Sequence, residues 1–287
     1  MIFFANKQHC VGILCIYTNK AYNLSIFTIM RGIIASIILI FIGTGFTHRE
    51  AEISTPNQAF TFGEKLNYRV HYGWINAASI EISVENEAKK INGRATYNIK
   101  AIGRTYRSFD WAYKVRDHFE TYMDIENLLP LKYYKNVRED NYRDEDLVYY
   151  NHDFNRLVGK KKNMDIPAQI QDIVSGIYYA RTIDFEHTKP GTSFPINIYL
   201  DQEIYHLKFK YLGKETIKTD LGKIKCYKLR PQLVVDRVFK DEDDMTLWIS
   251  ADKNKIPVRV QANIYVGSVK IDLTSATGLR NPFSSRL

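Results

Sequence analysis

Cysteine is scarce in this sequence. The 287 residues contain three cysteines, and Cys226 is the only one beyond the first 47 residues. One cysteine cannot form an internal disulfide, so the rest of the chain must be stabilised by an apolar core. A chain of this length can bury such a core in a single domain, particularly when it is all-β.

Motifs for catalysis, metals and cofactors are also missing from the sequence. The histidines occur neither as His-x-His nor as His-Glu-x-x-His, and Cys226 has no partner cysteine for a zinc site. Gly-x-Ser-x-Gly, a phosphate loop and a dinucleotide fingerprint are absent. Ser175 and Cys226 would be nucleophiles only with a base that the sequence does not show. We therefore predict that the protein is not an enzyme and has no metal or cofactor.

Acidic residues are absent from residues 1–47, which contain Lys7, Lys20 and Arg31. The stretch RGIIASIILIFIGTGF begins at Arg31 and ends in small residues, as a secretory signal does. Residues 1–47 are predicted to be a signal peptide, and residues 1–29 are interpreted as an over-called start or a long n-region because Met30 precedes Arg31. Cleavage would release the protein to the periplasm or cell envelope. An N-terminal membrane anchor is the alternative, although the run is shorter than the roughly 20 apolar residues of a span.

No strong charge excess remains beyond the leader. Residues 48–287 contain 37 Lys and Arg and 32 Asp and Glu, and the signs alternate along most segments. Nucleic-acid-binding proteins instead cluster basic residues on one face or helix. A nucleic-acid partner is therefore not expected.

Apolar residues at every second position are abundant. Leu66, Tyr68 and Val70 alternate with polar residues, and the same alternation recurs over 78–84, 109–115 and 205–211. This periodicity predicts half-buried antiparallel strands. The spacing of turns favours a strongly curved sheet that forms an open or incomplete barrel. We expect an all-β domain over residues 55–277 and a flexible tail over 278–287.

One segment departs from the β pattern. Residues 172–181 place Ile173, Ile177, Ala180 and Arg181 on one helical stripe, and Asp172 is suited to cap the helix N-terminus. We predict one helix of about 10–12 residues that lies against the sheet.

Several short motifs occur in an order that resembles a known family. They are Phe60–Leu66, Gln171–Arg181, Glu215–Gly222, Trp248–Asp252 and Ile256–Val258. Their order and spacing resemble the exported bacterial family called domain of unknown function 3108, over residues 60–275. The resemblance implies a signal peptide and an antiparallel sheet curled towards an incomplete barrel. The family has no established activity, so no catalytic residue is implied.

A curled sheet with apolar residues on its inner face can enclose a ligand. The hypothesis is that the protein binds a lipid or another amphipathic envelope molecule there. The residues predicted to line the site are Tyr68, Val70, Tyr72, Trp74, Phe109, Trp111, Tyr113, Phe209, Tyr211 and Trp248. Ordinary core packing is the alternative interpretation of each residue.

Other functions stay open at this point. A structural or protein-binding component of the envelope would need no ligand, and its exposed aromatic residues would lie on edge strands. An outer-membrane barrel or an enzyme is less well supported, because the strands are short and no catalytic motif is present. The sequence does not indicate an oligomeric state.

Overall fold

The structure, a computed structural model, describes residues 56–231, 245–263 and 267–287. The predicted leader, residues 1–47, lies outside the described residues. The strands in chain order are β1 Lys65–Tyr72, β2 Ile75–Val84, β3 Lys89–Ile91, β4 Arg94–Thr105, β5 Arg116–Asp124, β6 Pro130–Glu139, β7 Tyr142–Asn151, β8 Arg156–Gly159, β9 Asn163–Asp165, β10 Gln171–Asp172, β11 Ser193–Leu200, β12 Glu203–Thr219, β13 Gly222–Pro231, β14 Met245–Ser250, β15 Pro257–Asn263 and β16 Ser268–Thr277.

All sixteen strands of the described residues belong to one sheet. Its order is β10-β11-β12-β13-β14-β15-β16-β1-β2-β4-β5-β6-β7-β8-β9, and β3 pairs with β4. The pairs are antiparallel except for β10 and β11, which are parallel. Among the described residues the end strands β9 and β10 do not pair with each other, so the sheet stays open. The predicted all-β, strongly curved antiparallel sheet is confirmed.

Alternating side chains determine which face of the sheet is the inner, concave one. In β1, Leu66, Tyr68 and Val70 are buried while Lys65 is exposed. Across the sheet, Tyr68 lies opposite Ile80, and Ile82 lies opposite Ala101. The main core forms where these rows curl towards one another, and it includes residues of β1, β2, β4 to β8 and β11. Burial of this inner face drives the curvature.

Side chains join the two ends of the open sheet. The Lys135 ammonium on β6 pairs with Asp201 of the β11–β12 turn and with Asp144 at 2.5 Å. The Tyr199 hydroxyl on β11 donates to Asp146 on β7 at 3.3 Å. Lys135 is only 2% exposed. Because its charge is compensated by two carboxylates, this lysine can be buried where the sheet ends meet.

The helix, α1, spans Ile173–Ala180. Asp172 is its N-cap, as predicted, and accepts from the amides of Val174 and Ser175. The Ser175 hydroxyl accepts from the Asp172 amide in return, which completes a capping box.

The predicted length of the helix is wrong. It has eight residues rather than 10–12, because the turns that follow at Thr182 and Ile183 bond back to Tyr179 and Ala180. Its fully buried residues are Val174, Ser175, Gly176, Tyr178 and Tyr179, whereas Ile173 and Ile177 are only partly buried against the core.

The alternation over residues 109–115 does not form a strand. The chain instead makes consecutive turns between Tyr106 and Tyr113, in which the amides of Phe109 and Asp110 donate to the Tyr106 carbonyl. Asp110 fixes this connection, because it accepts from Thr105 at 2.5 Å and pairs with Arg116 at 2.6 Å. Local polar bonds therefore override the period-two pattern here.

The C-terminal residues pack on the sheet, in contrast to the flexible tail expected over 278–287. The Lys225 amide donates to the Ser285 carbonyl, and the Leu287 amide donates to the Lys223 carbonyl, both at 2.8 Å. Ser285 is buried and bonds to Asp252. This segment lies beside a cluster formed by Ile224, Cys226 and Trp248, against which Phe283 packs.

Gly278 gives a test of how tightly this C-terminal segment is held. Its φ is +64°, and a Cβ there would lie 2.1 Å from the Gly63 carbonyl oxygen. Gly93 also has positive φ, +82°, but a Cβ there would have no neighbour within 4 Å. We expect Gly93→Ala to lower the free energy of unfolding by about 1–2 kcal/mol, the cost of the left-handed conformation. Gly278→Ala should cost at least about twice as much, because backbone must also move.

Urea unfolding of the two variants measures this difference. Equal losses for Gly93→Ala and Gly278→Ala would show that the contact between Gly278 and Gly63 is not a constraint on the fold.

Candidate functional site

The helix covers one half of the concave face. α1 packs against β4, β5 and β11, and Gly176 permits its close approach, because a Cβ there would lie 2.5 Å from the Ile198 Cδ1 atom. The Asp172 carboxylate also accepts from the Thr121 hydroxyl of β5 at 2.6 Å. Phe60 and Tyr178 pack edge to face at 4.7 Å between their ring centroids. This half of the face is therefore filled by protein.

A buried ion pair holds the helix in this position. Arg181 directly follows α1, and its guanidinium donates to both carboxylate oxygens of Glu64, at 2.6 and 2.7 Å. It also donates to the carbonyls of Asn254 and Ala59. The rings of Phe60 and Tyr178 lie 5.4 and 4.8 Å from its Cζ. Two charges that are almost completely buried are thus fully paired and hydrogen-bonded, which is the condition for burying them.

The other half of the concave face presents half-buried apolar side chains. Register aligns Leu247 with Val260, Val260 with Ile271, and Ile271 with Val70. A second row aligns Met245 with Ala262, Ala262 with Val269, and Val269 with Tyr72. We call the half-buried members of these rows, with Phe209 of β12, the apolar strip: Tyr72, Phe209, Met245, Leu247, Val260, Val269 and Ile271.

The apolar strip runs from β12 to β1 and has members on five of these six adjacent strands, because the inward side chains of β13 are buried. At about 4.8 Å between strands, it extends over roughly 24 Å. It ends at Tyr72, next to the β1–β2 turn. The strip is therefore the candidate site: a long apolar surface, partly open to solvent, on the inside of a curved sheet.

Polar groups are buried in the half of the concave face beneath the helix. The hydroxyls of Tyr133 and Tyr150 are buried and have no hydrogen-bond partner in the described part of the chain. Burial also raises the pKa of the Asp172 carboxyl to about 6, although its hydrogen bonds from Thr121, Ser175 and Val174 oppose the shift. Burial raises the pKa of Asp117 to about 7 in the same way. These groups contrast with the apolar strip, which contains no carboxylate.

The structure separates the ten residues that were predicted to line a ligand site. Tyr72 and Phe209 belong to the apolar strip, and Tyr68 and Val70 are buried in the main core beside it. Tyr211 is buried in a second cluster with Phe185 and Tyr227. Phe109 and Tyr113 lie in the β4–β5 connection, where the Tyr113 hydroxyl donates to Glu139 at 2.9 Å.

Three of the predicted lining residues do not face the concave side. Trp74 and Trp111 are 91% and 75% exposed, because both lie in connections between strands. Trp248 is adjacent to Leu247 in β14 and so points to the opposite, convex face, where its indole donates to Glu215 at 3.0 Å. Their prediction as lining residues is wrong.

Sequence reasoning missed five residues of the apolar strip and the ion pair. Val260, Val269 and Ile271 did carry a signal, since they alternate with polar residues, but nothing local distinguishes half-buried from fully buried positions. Arg181 and Glu64 are 117 residues apart, and no local pattern links them.

Cys226 and Ser175, the two side chains considered as nucleophiles, are both held within the packed fold. Cys226 is buried on the convex face, and burial raises the pKa of its thiol to about 12, so the reactive thiolate is disfavoured. The Ser175 hydroxyl is held in the capping box of α1.

The described residues contain neither a metal-ligand cluster nor a membrane-spanning helix. Residues 56–231, 245–263 and 267–287 contain no group of three or more His, Cys, Asp or Glu side chains arranged to hold a metal ion. Within the same ranges no helix has the length and hydropathy needed to cross a membrane.

Substitution of the ion pair tests its structural role. Arg181→Met leaves the Glu64 carboxylate buried without its partner, and Glu64→Met leaves the guanidinium in the same state. We expect each single substitution to cost about 3–5 kcal/mol of unfolding free energy. The double variant should lose much less than the sum, because no uncompensated charge remains. Urea denaturation of all four proteins measures the coupling, and strictly additive losses would contradict the proposed role.

The raised pKa of Asp117 leads us to expect that the stability of the protein depends on pH. Its folded pKa of about 7 exceeds the ordinary value near 4, so the folded protein binds the proton more tightly than the unfolded chain does. This group therefore makes the protein less stable as the pH rises from about 4 to about 7. Asp117→Asn keeps an oxygen for the Arg138 amide and should be more stable than the parent at pH 8, by about 1–3 kcal/mol.

Thermal unfolding at pH 5 and pH 8 checks this prediction, with Asp153→Asn on an exposed turn as the control. The advantage of Asp117→Asn should shrink at pH 5, and a difference that does not change with pH would rule out Asp117 as its source.

Comparison with known proteins identifies the family. The model of the family "Protein of unknown function (DUF3108)" matches residues 67–274, which confirms the resemblance seen in the sequence. No curated protein matches the chain.

Solved structures with a similar fold have low sequence identity to this chain. A beta-barrel-like protein of domain of unknown function DUF1849 from Brucella abortus is 9% identical, with a TM-score of 0.48 over 75% of this chain and 97% of that one. A candidate exported protein with a YmcC-like fold from Bacteroides fragilis is 10% identical, with a TM-score of 0.36 over 76% and 97%. A candidate lipoprotein from Parabacteroides distasonis is 12% identical, with a TM-score of 0.32 over the same shares.

Proposed function

The chain belongs to the DUF3108 family of proteins of unknown function, and we propose that it is an exported cell-envelope protein that binds an amphipathic molecule, such as a lipid, on the apolar strip. The proposal is a binding function without catalysis, metal, cofactor or nucleic acid. The single observation that carries it is the set of half-buried apolar side chains on five strands of the concave face, between β12 and β1.

The apolar strip differs from an ordinary core surface. Inside the curved sheet, the half under α1 is packed to near-complete burial, whereas the strip keeps part of its apolar area in contact with solvent. Contiguous apolar surface on a concave face is typical of binding sites, because removing it from water stabilises the complex by about 25 cal/mol for each Å². A long ligand can cover the whole strip.

The shape of the site favours a ligand with one polar end. The strip ends at Tyr72, beside the solvent-exposed turn that contains Gly73 and Trp74. A molecule that lies along the strip keeps its apolar body on Leu247, Val260 and Ile271 and its polar head in water at this end. An entirely polar ligand would gain nothing from these side chains.

Export is supported by the composition of the leader. A basic residue, an apolar run and small residues follow one another between Arg31 and Thr47. After the leader, the single cysteine, Cys226, is buried and unpaired, so the fold does not depend on an oxidising or a reducing compartment. Release into the periplasm or cell envelope would bring the apolar strip to the compartment where lipids and other amphipathic molecules must be carried through water.

The alternative is a structural or protein-binding role without a ligand. Strand addition to a sheet edge is the usual route for such a role. The end strands β9 and β10 have only three and two residues, which leaves little edge for a partner strand. The geometry therefore supports ligand binding better than strand addition.

Adjacent positions on β14 give a matched test. Met245 belongs to the apolar strip, whereas Thr246 points to the opposite face, and both are half-buried. Met245→Glu places a carboxylate against the ligand and should reduce bound lipid at least about tenfold, since desolvating an unpaired charge is costly. Thr246→Glu should bind as the parent does.

Native mass spectrometry after gentle extraction, and binding of a fluorescent fatty acid, measure occupancy in both variants. A parent protein that carries no adduct in repeated preparations and binds no fatty acid would refute the proposal and favour the structural role. Equal binding by the two variants would place the ligand elsewhere.

A further inference from the structure

Two tryptophans project from the same end of the sheet. Trp74 lies in the β1–β2 turn and Trp111 in the β4–β5 connection, and they are 91% and 75% exposed. The Tyr106 amide donates to the Ala77 carbonyl at 3.1 Å, and Ala78 lies opposite Thr105, so the two connections are neighbours. We call this surface, residues 73–76 and 106–114, the tryptophan rim.

The conformation of the tryptophan rim exposes Trp111 and is fixed by hydrogen bonds. Asp110 accepts from Thr105 and pairs with Arg116, and the Trp111 indole donates to the Ser108 carbonyl at 3.0 Å. Phe109, two residues earlier, packs against the main core. Phe109 therefore points towards the core, whereas the larger Trp111 side chain is exposed to solvent. Exposed apolar side chains that are held in this way mark interaction sites.

Basic residues surround the two tryptophans. Arg104, Arg107 and Lys114 are exposed, and the acidic residue among them, Asp110, is paired with Arg116. The β1–β2 segment contains no acidic residue between Leu66 and Ile80. The adjoining β6–β7 turn adds Asp140, and the start of β7 adds Arg143, one residue of each sign. The surface next to Trp74 and Trp111 therefore carries excess positive charge.

Tryptophan beside arginine and lysine suits the surface of a lipid bilayer. The indole ring prefers the level of the headgroups, where one side is apolar and the other is wet, and basic side chains are attracted to anionic lipids. From this combination we propose that the tryptophan rim docks on a bilayer that contains anionic phospholipid, with Trp74 and Trp111 inserted among the headgroups.

Because the tryptophan rim lies next to one end of the apolar strip, docking of the rim also orients the strip. Tyr72 ends the strip and is two residues from Trp74, and its hydroxyl lies 3.4 Å from the position that a Cβ would take on Gly267 of the β15–β16 turn. Docking through the rim turns this end of the strip towards the membrane. The inference goes beyond the proposed function, because the rim can bind a bilayer whether or not the strip holds a ligand.

Tryptophan fluorescence provides a direct test, because the chain has three tryptophans and Trp248 is buried. The full-length chain is mixed with vesicles of phosphatidylcholine, with or without 30 mol% phosphatidylglycerol, so that residues 1–47 are common to every sample. We expect a blue shift with the anionic vesicles and quenching by brominated acyl chains. The double variant Trp74→Phe/Trp111→Phe, with Trp248 alone, should show neither.

Vesicle flotation with matched variants tests affinity. Trp74→Ala/Trp111→Ala should weaken partition into anionic vesicles about tenfold or more. Arg107→Ala should weaken it about fivefold, the loss expected for one basic residue near an anionic surface. Phe154→Ala is the control, because Phe154 is 78% exposed on the β7–β8 turn at the opposite end of the sheet, and it should bind as the parent does.

Several results would overturn docking by the rim. These are no blue shift with anionic vesicles, equal quenching of the double Phe variant, or the same loss in Phe154→Ala. Met245→Glu separates the two proposals, because it should lose fatty acid and keep vesicle binding, whereas the rim variants should do the opposite. Circular dichroism of each variant confirms that it is folded.

Discussion

The ion pair of Arg181 and Glu64 is the interaction on which the rest of this fold depends. One guanidinium joins the end of α1 to the segment before β1 and to the β14–β15 turn, through Glu64, Ala59 and Asn254. Buried charges are tolerated only when all their hydrogen bonds are made, so these segments must take one arrangement relative to each other. The helix is thereby held inside the curve of the sheet, where Gly176 lets it approach Ile198.

The placement of the helix divides the concave face. Beneath it, Tyr133, Tyr150 and Asp172 are sealed from water, and the cost of burying Asp172 is seen in its raised pKa. Beyond it, the side chains of the apolar strip stay half-buried. A sheet that is open at its ends, and joined there by Lys135 and Asp201 rather than by a backbone ladder, can leave such a surface without exposing a long strand edge.

The sequence pattern predicted most strands correctly, but it did not predict the connections between them or which face of the sheet each side chain occupies. Period-two alternation identified β1, β2 and β12, because a half-buried strand must alternate. The same alternation failed over residues 109–115, where Asp110 and Thr105 stabilise turns instead. It also could not distinguish the two faces of β14, which is why Trp248 was assigned to the concave side. For Tyr68 and Val70, the alternative interpretation as ordinary core residues agrees with their burial in the structure.

What the sequence determined by itself is local: the strands, the position of α1 and its Asp172 cap, and the family to which the chain belongs. Each follows from neighbouring residues, since alternation and capping act over two to four positions. The tertiary structure alone decided which half of the concave face is covered, that Trp74 and Trp111 share one rim, and that Arg181 meets Glu64 across 117 positions. These features depend on contacts between segments that are far apart in the chain. The free energy of such contacts cannot be inferred from the residues next to each partner in the sequence.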